Sequence, residues 1–566
     1  MKLALAQINP TVGALNENFK KAASYIEEAK KLGANLVIFP ELSLLGYPPK
    51  DLILKNGLLE KQNEIIEELC KYSSEEFVII VGGIAENRKF GKKFYNSLYC
   101  LRAGKIELVS HKMLLPTYDV FDETRYFQPA SKVKIWEFMG KKIGLSICED
   151  IWIEAYNNLY SRNPINELVA QGAELIINAS ASPYSLGKPE LRNQLMTKLV
   201  KQYKLPLIYV NQVGANDQLI FDGASKAYAP NGSQALNLKY FSEELKIISF
   251  DELMCHCEEE SPPNPSKVIL SDSEGSNAQT KTDPLDSSAS PLNDEEIHKA
   301  LCLGIKDYVY KCGFSKVILG LSGGVDSALV AVLAKEALGA ENVFAYMLPT
   351  EFTSDSSFKD AEKLAKNLGI NYEIIEIKNL HKEIRNLIPD LSPLADENVQ
   401  PRLRANILMA QANTKNAMLL ATGNKSEIAV GYSTLYGDSC GALAPIGDLL
   451  KTQVYKLCEF INKDTEIIPV EILNKAPSAE LRHDQKDSDS LPDYEELDKI
   501  ILLYVQELWS KDQIIKTGFD KDTVKKVLNL IDRAEYKRQQ APPILKIAGK
   551  AFGEGRRMPI AQGYQN

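Results

Sequence analysis

The sequence predicts an α/β chain in two parts, each a sheet system covered by helices, and three observations carry that expectation. Short apolar strands alternate with amphipathic runs of helical length over most of the chain. A polar stretch over 258–293, EEESPPNPSKVILSDSEGSNAQTKTDPLDSSASPLN, interrupts the alternation. Beyond it the strand VILG runs into SGGVDSALV, a glycine turn and a helix start, which is how chains hold phosphate. The predicted organisation is a first domain over 1–257, a linker or mobile loop over 258–293, and a second domain over 294–566.

Size and composition bound the rest. A chain of 566 residues is too long for one core. Hydrophobic residues at 45% and charged residues at 25% are ordinary for a soluble globular enzyme. The net charge of −9 argues against a general nucleic-acid surface. Nine cysteines, odd in number and scattered, do not make a disulfide framework and fit a reducing cytoplasm. The start, MKLALAQINP, lacks the hydrophobic region of a signal peptide, and no apolar run is long enough to span a membrane. Cys255-His256-Cys257 places adjacent ligands with no second pair, a poor tetrahedral metal site.

The elements follow in order. The first part runs LALAQI, a helix over 16–32, LVIFPE, a helix over 58–72, FVIIVGGIAE, and SLYCLRAGKIEL with an Ala-Gly hairpin turn. KIGLSICED, AELIINAS and LPLIYVNQVG read as later strands. The second part alternates helix 294–312, strand 316–320, helix 326–338, strand 342–348, helix 355–368 and strand 371–377. That is a parallel, doubly wound pattern, with the glycine turn after its first strand. The polar stretches 186–197 and 478–492 suit mobile loops that act as lids.

Three strand ends or turns in the first part carry a reactive group: Glu41 after LVIFP, Lys112 in SHKMLLP, and Cys148 in KKIGLSICEDIW. A thiol attacks as its thiolate and needs a base and a positive partner. Glu41 is suited to take the proton, and Lys112 to hold an oxyanion in a low-dielectric pocket. The stretches FPELSLLGYPPKDL, HKMLLPTYDVFDETRYF, SICEDIW and NASASPY, in that order, resemble the nitrilase–amidase family over roughly residues 1–250. The resemblance implies a four-layer αββα sandwich and amide hydrolysis through a thioester, releasing ammonia. It implies Glu41 as general base, Lys112 as charge-stabilising lysine and Cys148 as nucleophile, with Glu123 as a further glutamate beside them. Tyr47, Glu149 and Ser180 sit in matching segments and are expected to bind substrate glutamine.

The phosphate loop lacks the lysine of the common nucleotide loop. Gly320, Ser322, Gly323, Gly324, Val325, Asp326 and Ser327 instead offer backbone amides and two hydroxyls at a helix N-terminus. Asp326 would repel phosphate unless a hard cation such as Mg²⁺ lies between them. Thr422 and Lys425 in TGNKSE, a second strand-end loop, are placed to meet ATP phosphates. SGGVDS after VILGL resembles the PP-loop ATP pyrophosphatases, which adenylate a substrate and let a nucleophile displace AMP. ENVQPRLRANILM, LLATGNKSEIAVGYSTLYGDSCGALAPIGDLLKTQVY, PSAELRHDQKDSDSLPDYEELD and YKRQQAPPILKIAGKAFGEGRRMPI resemble the glutamine-dependent NAD⁺ synthetase family. By that resemblance Glu427 shares Mg²⁺ with Asp326, and Asp438 and Lys451 lie around the substrate deamido-NAD⁺. Arg402 and Arg404 suit its phosphates or its nicotinate carboxylate. Phe352-Thr353-Ser354 departs from the Tyr-Ser-Ser expected in relatives, at the adenine or sugar contacts.

The implied reaction couples the two parts. Glutamine hydrolysis supplies ammonia, ATP adenylates deamido-NAD⁺, and ammonia displaces AMP to give NAD⁺. The family shields ammonia in a tunnel and associates through its synthetase domains, so a homodimer or larger assembly is expected, with no nucleic-acid or membrane partner. Two alternatives stay open at this stage: a PP-loop amidotransferase acting on another acid or a nucleobase, and a chain whose first domain is only structural.

Overall fold

A computed structural model of the chain describes residues 1–153, 159–255 and 291–564. The sequence expectation of a linker over 258–293 falls outside the described residues as far as 290, as do His256 and Cys257. The helix expected from 294 begins at Pro291 and ends at Lys311. The chain separates into an N-terminal and a C-terminal unit.

The N-terminal unit is built on fourteen strands. They are β1 Lys2–Gln7, β2 Leu36–Ile38, β3 Val78–Glu86, β4 Phe94–Arg102, β5 Lys105–His111, β6 Ile135–Phe138 and β7 Lys141–Ile147. There follow β8 Leu175–Ser180, β9 Leu207–Asn211, β10 Val213–Asn216, β11 Leu219–Asp222, β12 Lys226–Tyr228, β13 Gln234–Asn237 and β14 Glu244–Ser249. One six-stranded sheet has the order β14-β1-β2-β3-β4-β5, the other β13-β12-β9-β8-β7-β6. Alternation along each strand decides the layers. Leu3, Leu5, Leu36, Ile38, Val78 and Ile80 of the first sheet pack against Ile143, Leu145, Leu175, Ile177, Ile208 and Val210 of the second. Each such side chain contributes roughly 1.5–3 kcal/mol on burial, so the two inner faces together fix the sandwich. On the far side of the second sheet, Ile176, Leu207 and Tyr209 meet Leu168, Met196 and Val200 from the helices Pro164–Ala170 and Lys188–Tyr203. Helices Leu15–Lys31 and Leu58–Cys70 are amphipathic and accompany the first sheet. The result is the αββα sandwich implied by the resemblance.

Two local details repay notice. The hairpin between β4 and β5 turns at Ala103 and Gly104, both left-handed at φ 52° and 73°, as a two-residue turn matching strand twist requires. The stretch 186–197, expected as a loop, is instead largely the helix Lys188–Tyr203. Its polar composition hid a buried stripe of Arg192, Leu195, Met196, Leu199 and Val200 at helical spacing.

The C-terminal unit carries a fully parallel sheet of β15 Val317–Gly320, β16 Val343–Met347, β17 Asn371–Ile374 and β18 Met418–Leu419, in the order β17-β16-β15-β18. The chain leaves β15 for β16 on one side, while β18 pairs on the other. That makes the C-terminal end of β15 the topological switch point, where doubly wound sheets open a crevice. Helices Val325–Leu338 and Asp355–Leu368 match their predicted spans to within a residue, whereas β17 stops at Ile374, short of the predicted 377. Helix Val325–Leu338 buries nearly every face, including Ala328, Leu329, Val330, Ala331 and Val332, so it is held rigidly from both sides. The described cysteines are all unpaired, and among the described residues no helix is long and apolar enough to cross a membrane.

Gly82 in β3 is the tightest point beneath the first candidate centre. A Cβ there would stand 2.3 Å from Leu42 N and 2.5 Å from Pro40 O. The turn that carries Glu41 therefore rests on bare backbone, tied by Leu44 N donating to Gly82 O at 3.1 Å. Gly82→Ala is expected to destabilise the N-terminal unit by about 1–3 kcal/mol, the range for overpacking. Its unfolding transition, followed by heat or denaturant, should shift down; an unchanged midpoint would contradict the close packing.

Candidate functional sites

Three strand ends converge in the N-terminal unit. Glu41 follows β2, Lys112 follows β5, and Cys148 follows β7 as the first residue of a short 3-10 turn, Cys148–Ile151. The Lys112 ammonium is fully buried and lies 2.7 Å from Glu41 Oε1 and 2.7 Å from Glu123 Oε1. Burial alone would lower its pKa, but the Glu123 and Glu41 carboxylates outweigh burial and hold it well above the ordinary lysine value. Burial pushes Glu123 up to about 7 against the pull of Lys112. Glu41 is fixed from three sides: Lys112, Asn96 Nδ2 donating to Oε1 at 2.7 Å, and Ala181 N donating to Oε2 at 2.9 Å.

Cys148 has a left-handed backbone, φ 41°, uncommon for a residue with a side chain and a form of strain concentrated at functional sites. Burial, then the Glu41 carboxylate, raises its thiol well above the ordinary range, with Lys112 opposing. The resting group is therefore a thiol, and its attack requires a base at hand. Asp150 holds the turn by accepting from Ile147 N at 3.0 Å and Leu114 N at 2.9 Å, which also ties the Lys112 segment to the Cys148 segment.

The expected glutamine contacts divide. Tyr47 donates to Glu123 Oε1 at 2.8 Å and is buried, so its hydroxyl supports the acidic pair. Glu149 accepts from Tyr118 at 3.0 Å and from Tyr160 at 2.8 Å. Ser180 is fully buried and donates to Asn178 Oδ1 at 2.7 Å, while Asn178 Nδ2 donates to Cys148 O at 3.4 Å. Ser180 thus positions the cysteine backbone through Asn178. Sequence reading missed Asn96, Tyr118 and Tyr160; Tyr118 lies inside HKMLLPTYDVFDETRYF, the one signal that pointed to it.

The second centre lies at the switch point of the parallel sheet, around a cavity of about 310 Å³. Gly320, Ser322, Gly324, Val325, Asp326 and Ser327 line it, and Gly323 shapes the loop from behind. Gly323 has φ 78°, and a Cβ there would be 2.5 Å from Ser357 O, so only glycine fits. Ser327 Oγ accepts from Ser322 N at 3.2 Å and donates to Gly324 O at 3.0 Å, closing the loop on the helix start. The first residues of helix Val325–Leu338 line the cavity, and a helix N-terminus favours a phosphate.

Opposite the loop, the Lys451 ammonium pairs with Asp326 Oδ2 and stands 3.4 Å from Glu427 Oε1. Asn424 joins the two carboxylates: its Nδ2 donates to Asp326 Oδ1 at 3.0 Å, and its Oδ1 accepts from Glu427 N at 3.0 Å as the helix cap. Burial raises Glu427 to about 8, opposed by Lys451 and assisted by Asp326. Two carboxylates sharing one cation beside a phosphate loop are a suitable donor set for a hard divalent ion, with the ammonium standing in for its charge.

The remaining expected contacts are partly redistributed. Thr422, Arg404 and Asp438 line the cavity, as do Glu427 and Lys451. Burial lowers Arg404 to about 10, and its Nε donates to Leu348 O at 2.9 Å. Arg402 is exposed, donates to Leu435 O at 3.1 Å and is absent from the lining. Lys475, Lys537 and Tyr432 line the cavity without having been singled out. Lys475 bonds to Ser357 Oγ, next to the Gly323 turn, and so brings a cation to a loop that has none of its own. The stretch 478–492 also reaches the lining, through Ser478 to Leu481 and Asp487.

Lys425 differs from expectation. It is buried, lies outside the lining, and pairs with Asp448 Oδ1 at 2.8 Å while donating to Lys550 O at 2.9 Å. The capping box at Asn424 and Glu427 commits the start of helix Lys425–Val430, which turns the Lys425 side chain inward. Asp448 in turn accepts from Ile547 N at 2.8 Å and Ala548 N at 2.7 Å, so the pair anchors the C-terminal segment. Lys425→Met is expected to cost about 3–5 kcal/mol, because it strands a buried carboxylate. A lower unfolding midpoint checks this; unchanged stability together with weakened ATP binding would contradict it.

Known proteins match both parts of the chain. The family model described as carbon-nitrogen hydrolase matches residues 2–255, and the one described as NAD synthase matches 297–541. A glutamine-dependent NAD(+) synthetase from Synechocystis is 45% identical, over 99% of this chain and 99% of its own. One from Acinetobacter baylyi is 39% identical, over 100% of this chain and 99% of its own. The solved structure of the glutamine-dependent NAD+ synthetase from Acinetobacter baumannii, in complex with ADP, superposes with a TM-score of 0.73 at 36% identity, covering 99% of this chain and 98% of that one. The Cytophaga hutchinsonii structure gives a TM-score of 0.81 at 22% identity over 99% and 98% of the two chains, which speaks for the fold. With full-length identity at this level, the chain belongs to the glutamine-dependent NAD(+) synthetases.

Proposed function

We propose that the N-terminal centre hydrolyses glutamine and that the C-terminal centre uses the ammonia to amidate deamido-NAD⁺ at the expense of ATP. The observation that carries this proposal is the pairing in one chain of a buried Cys148–Glu41–Lys112 centre with a lysine-free phosphate loop flanked by Asp326 and Glu427.

In the first step Cys148 Sγ attacks the side-chain amide carbon of glutamine, and Glu41 takes the thiol proton. Lys112 stabilises the oxyanion of the tetrahedral intermediate. The proton passes from Glu41 to the leaving nitrogen, so the C–N bond breaks and ammonia departs, leaving a thioester. Water, deprotonated by Glu41, then releases glutamate and restores the thiol. Glu123 and Tyr47 keep Lys112 in place through both halves.

In the C-terminal unit a carboxylate oxygen of the nicotinate ring attacks the α-phosphorus of ATP, and pyrophosphate leaves. Ammonia then attacks the acyl-adenylate, AMP departs, and the amide of NAD⁺ is formed. The loop amides of 324–327 and the ammonium of Lys475 are placed to receive the leaving pyrophosphate. Asp326 and Glu427 would hold Mg²⁺, which supplies charge neutralisation at the phosphates when bound. Lys451 keeps the two carboxylates together and must give way as they take up the ion. Arg404 and Asp438, in the same cavity, are the proposed contacts to deamido-NAD⁺. A homodimer or larger assembly accompanies the proposal and is tested by sedimentation of the active enzyme; the unpaired cysteines among the described residues suit a reducing cytoplasm.

Cys148→Ala should cut glutamine-driven NAD⁺ formation by about 10⁶-fold, as removal of a nucleophile does. The same variant should keep ammonium-driven synthesis near the wild-type rate, and equal loss of both would count against the assignment. Asp326→Asn should lower synthesis from either nitrogen source by about 10²–10³-fold. Glutamate release measured without ATP should survive it, and normal synthesis in this variant would remove Asp326 from the centre.

A further inference from the structure

A second cluster of ligand atoms lies on the C-terminal unit, outside the lining of the nucleotide cavity. His298 and Cys302 stand one turn apart on helix Pro291–Lys311, so both side chains project from the same face. Glu336 comes from the last turn of the neighbouring helix, Val325–Leu338. One ligand atom from each of the three lies within 4.8 Å of the others. Ligands bound at about 2.0–2.3 Å to a tetrahedral ion stand about 3.3–3.8 Å apart, so small rotations of three side chains bring this set to bonding distance.

Two of the three side chains already meet. His298 Nε2 is 3.0 Å from Glu336 Oε2, and the imidazole beside it holds the Glu336 carboxyl below the ordinary carboxylate range. Cys302 Sγ is 3.9 Å from Leu333 O. The Glu336 side chain is 33% exposed, which opens the cluster to solvent on one side. The Phe460 ring, its centroid 6.1 Å from that of His298, gives another side an apolar wall.

We propose that His298, Cys302 and Glu336 form a binding site for a borderline divalent cation of the Zn²⁺ class, with water as its fourth ligand. Imidazole, thiolate and carboxylate together select such an ion over Mg²⁺ or Ca²⁺, which take oxygen ligands. On binding, the Cys302 sulfur exchanges its proton for the metal, and the proton goes to solvent. The ion ties helix Pro291–Lys311 to the helix whose first turn holds Asp326, and so braces the phosphate loop from the far end. The site is independent of the amidation chemistry and differs from the proposed all-carboxylate Mg²⁺ site in ligand type.

The test uses the full-length protein with Mg²⁺ in excess, titrated with Co²⁺ as a spectroscopic probe and with Zn²⁺ in competition. One equivalent of Co²⁺ should give a thiolate-to-cobalt charge-transfer band with tetrahedral d–d absorption, and Zn²⁺ should abolish both. Cys302→Ser and His298→Ala should lose the band. Glu336→Gln, a substitution near the surface that keeps the shape, should weaken Zn²⁺ binding by more than about tenfold, since even outer-shell changes cost about 10–100-fold. Absence of the band in the wild type, its persistence in Cys302→Ser, or unchanged Zn²⁺ affinity in Glu336→Gln would each overturn the proposal.

Discussion

A buried ammonium shared between two carboxylates underlies both centres of this chain. In the N-terminal unit it is Lys112 between Glu41 and Glu123; in the C-terminal unit it is Lys451 between Asp326 and Glu427. Taking such a charge out of water costs several kcal/mol, and the cost is offset only when opposite charges are held close with further hydrogen bonds. Around Lys112 those further bonds come from Tyr47, Asn96 and the Ala181 amide; around Lys451 they come through Asn424. The surrounding folds can be read as the means of fixing these groups. Strand ends from both sheets of the sandwich meet at the first, and the switch point of the parallel sheet presents the second.

The two lysines do different work because of what stands beside them. Lys112 faces a thiol that burial and Glu41 keep protonated. In the proposed mechanism a fixed positive charge there favours the oxyanion more than the resting state, which is where a catalytic group gains its effect. Lys451 faces a loop of backbone amides with no lysine of its own. Its ammonium holds together two carboxylates that would otherwise repel.

Much of the fold was legible in the sequence because its signals are local. The hairpin at Ala103-Gly104, the strands around LVIFPE and KIGLSI, and the strand–turn–helix at VILGLSGGVDS each depend on a few adjacent residues. Glu41, Lys112 and Cys148 stood out because each ends a strand, and strand ends are where sheets present reactive groups. The failures lie where distant contacts decide. Lys425 looked like a phosphate ligand by its neighbours in TGNKSE, but Asp448 pairs with it from the interior. The Ser180 hydroxyl donates to Asn178, a contact that its own segment does not announce. The stretch 186–197 is polar in composition, and only its spacing reveals the helix. Lys475 and Tyr118 needed the folded chain before their proximity to the loop and to Glu149 could be seen.

The central claim is that one chain makes ammonia at Cys148 and consumes it at the SGGVDS loop. The most direct test supplies purified enzyme with deamido-NAD⁺, ATP and Mg²⁺, and either glutamine or ammonium chloride, while NAD⁺, AMP and glutamate are followed together. Equal amounts of NAD⁺ and AMP from either nitrogen source, with glutamate only from glutamine, are the predicted result. Glutamate without NAD⁺ or AMP would contradict it, leaving a glutaminase whose second centre activates some other acid.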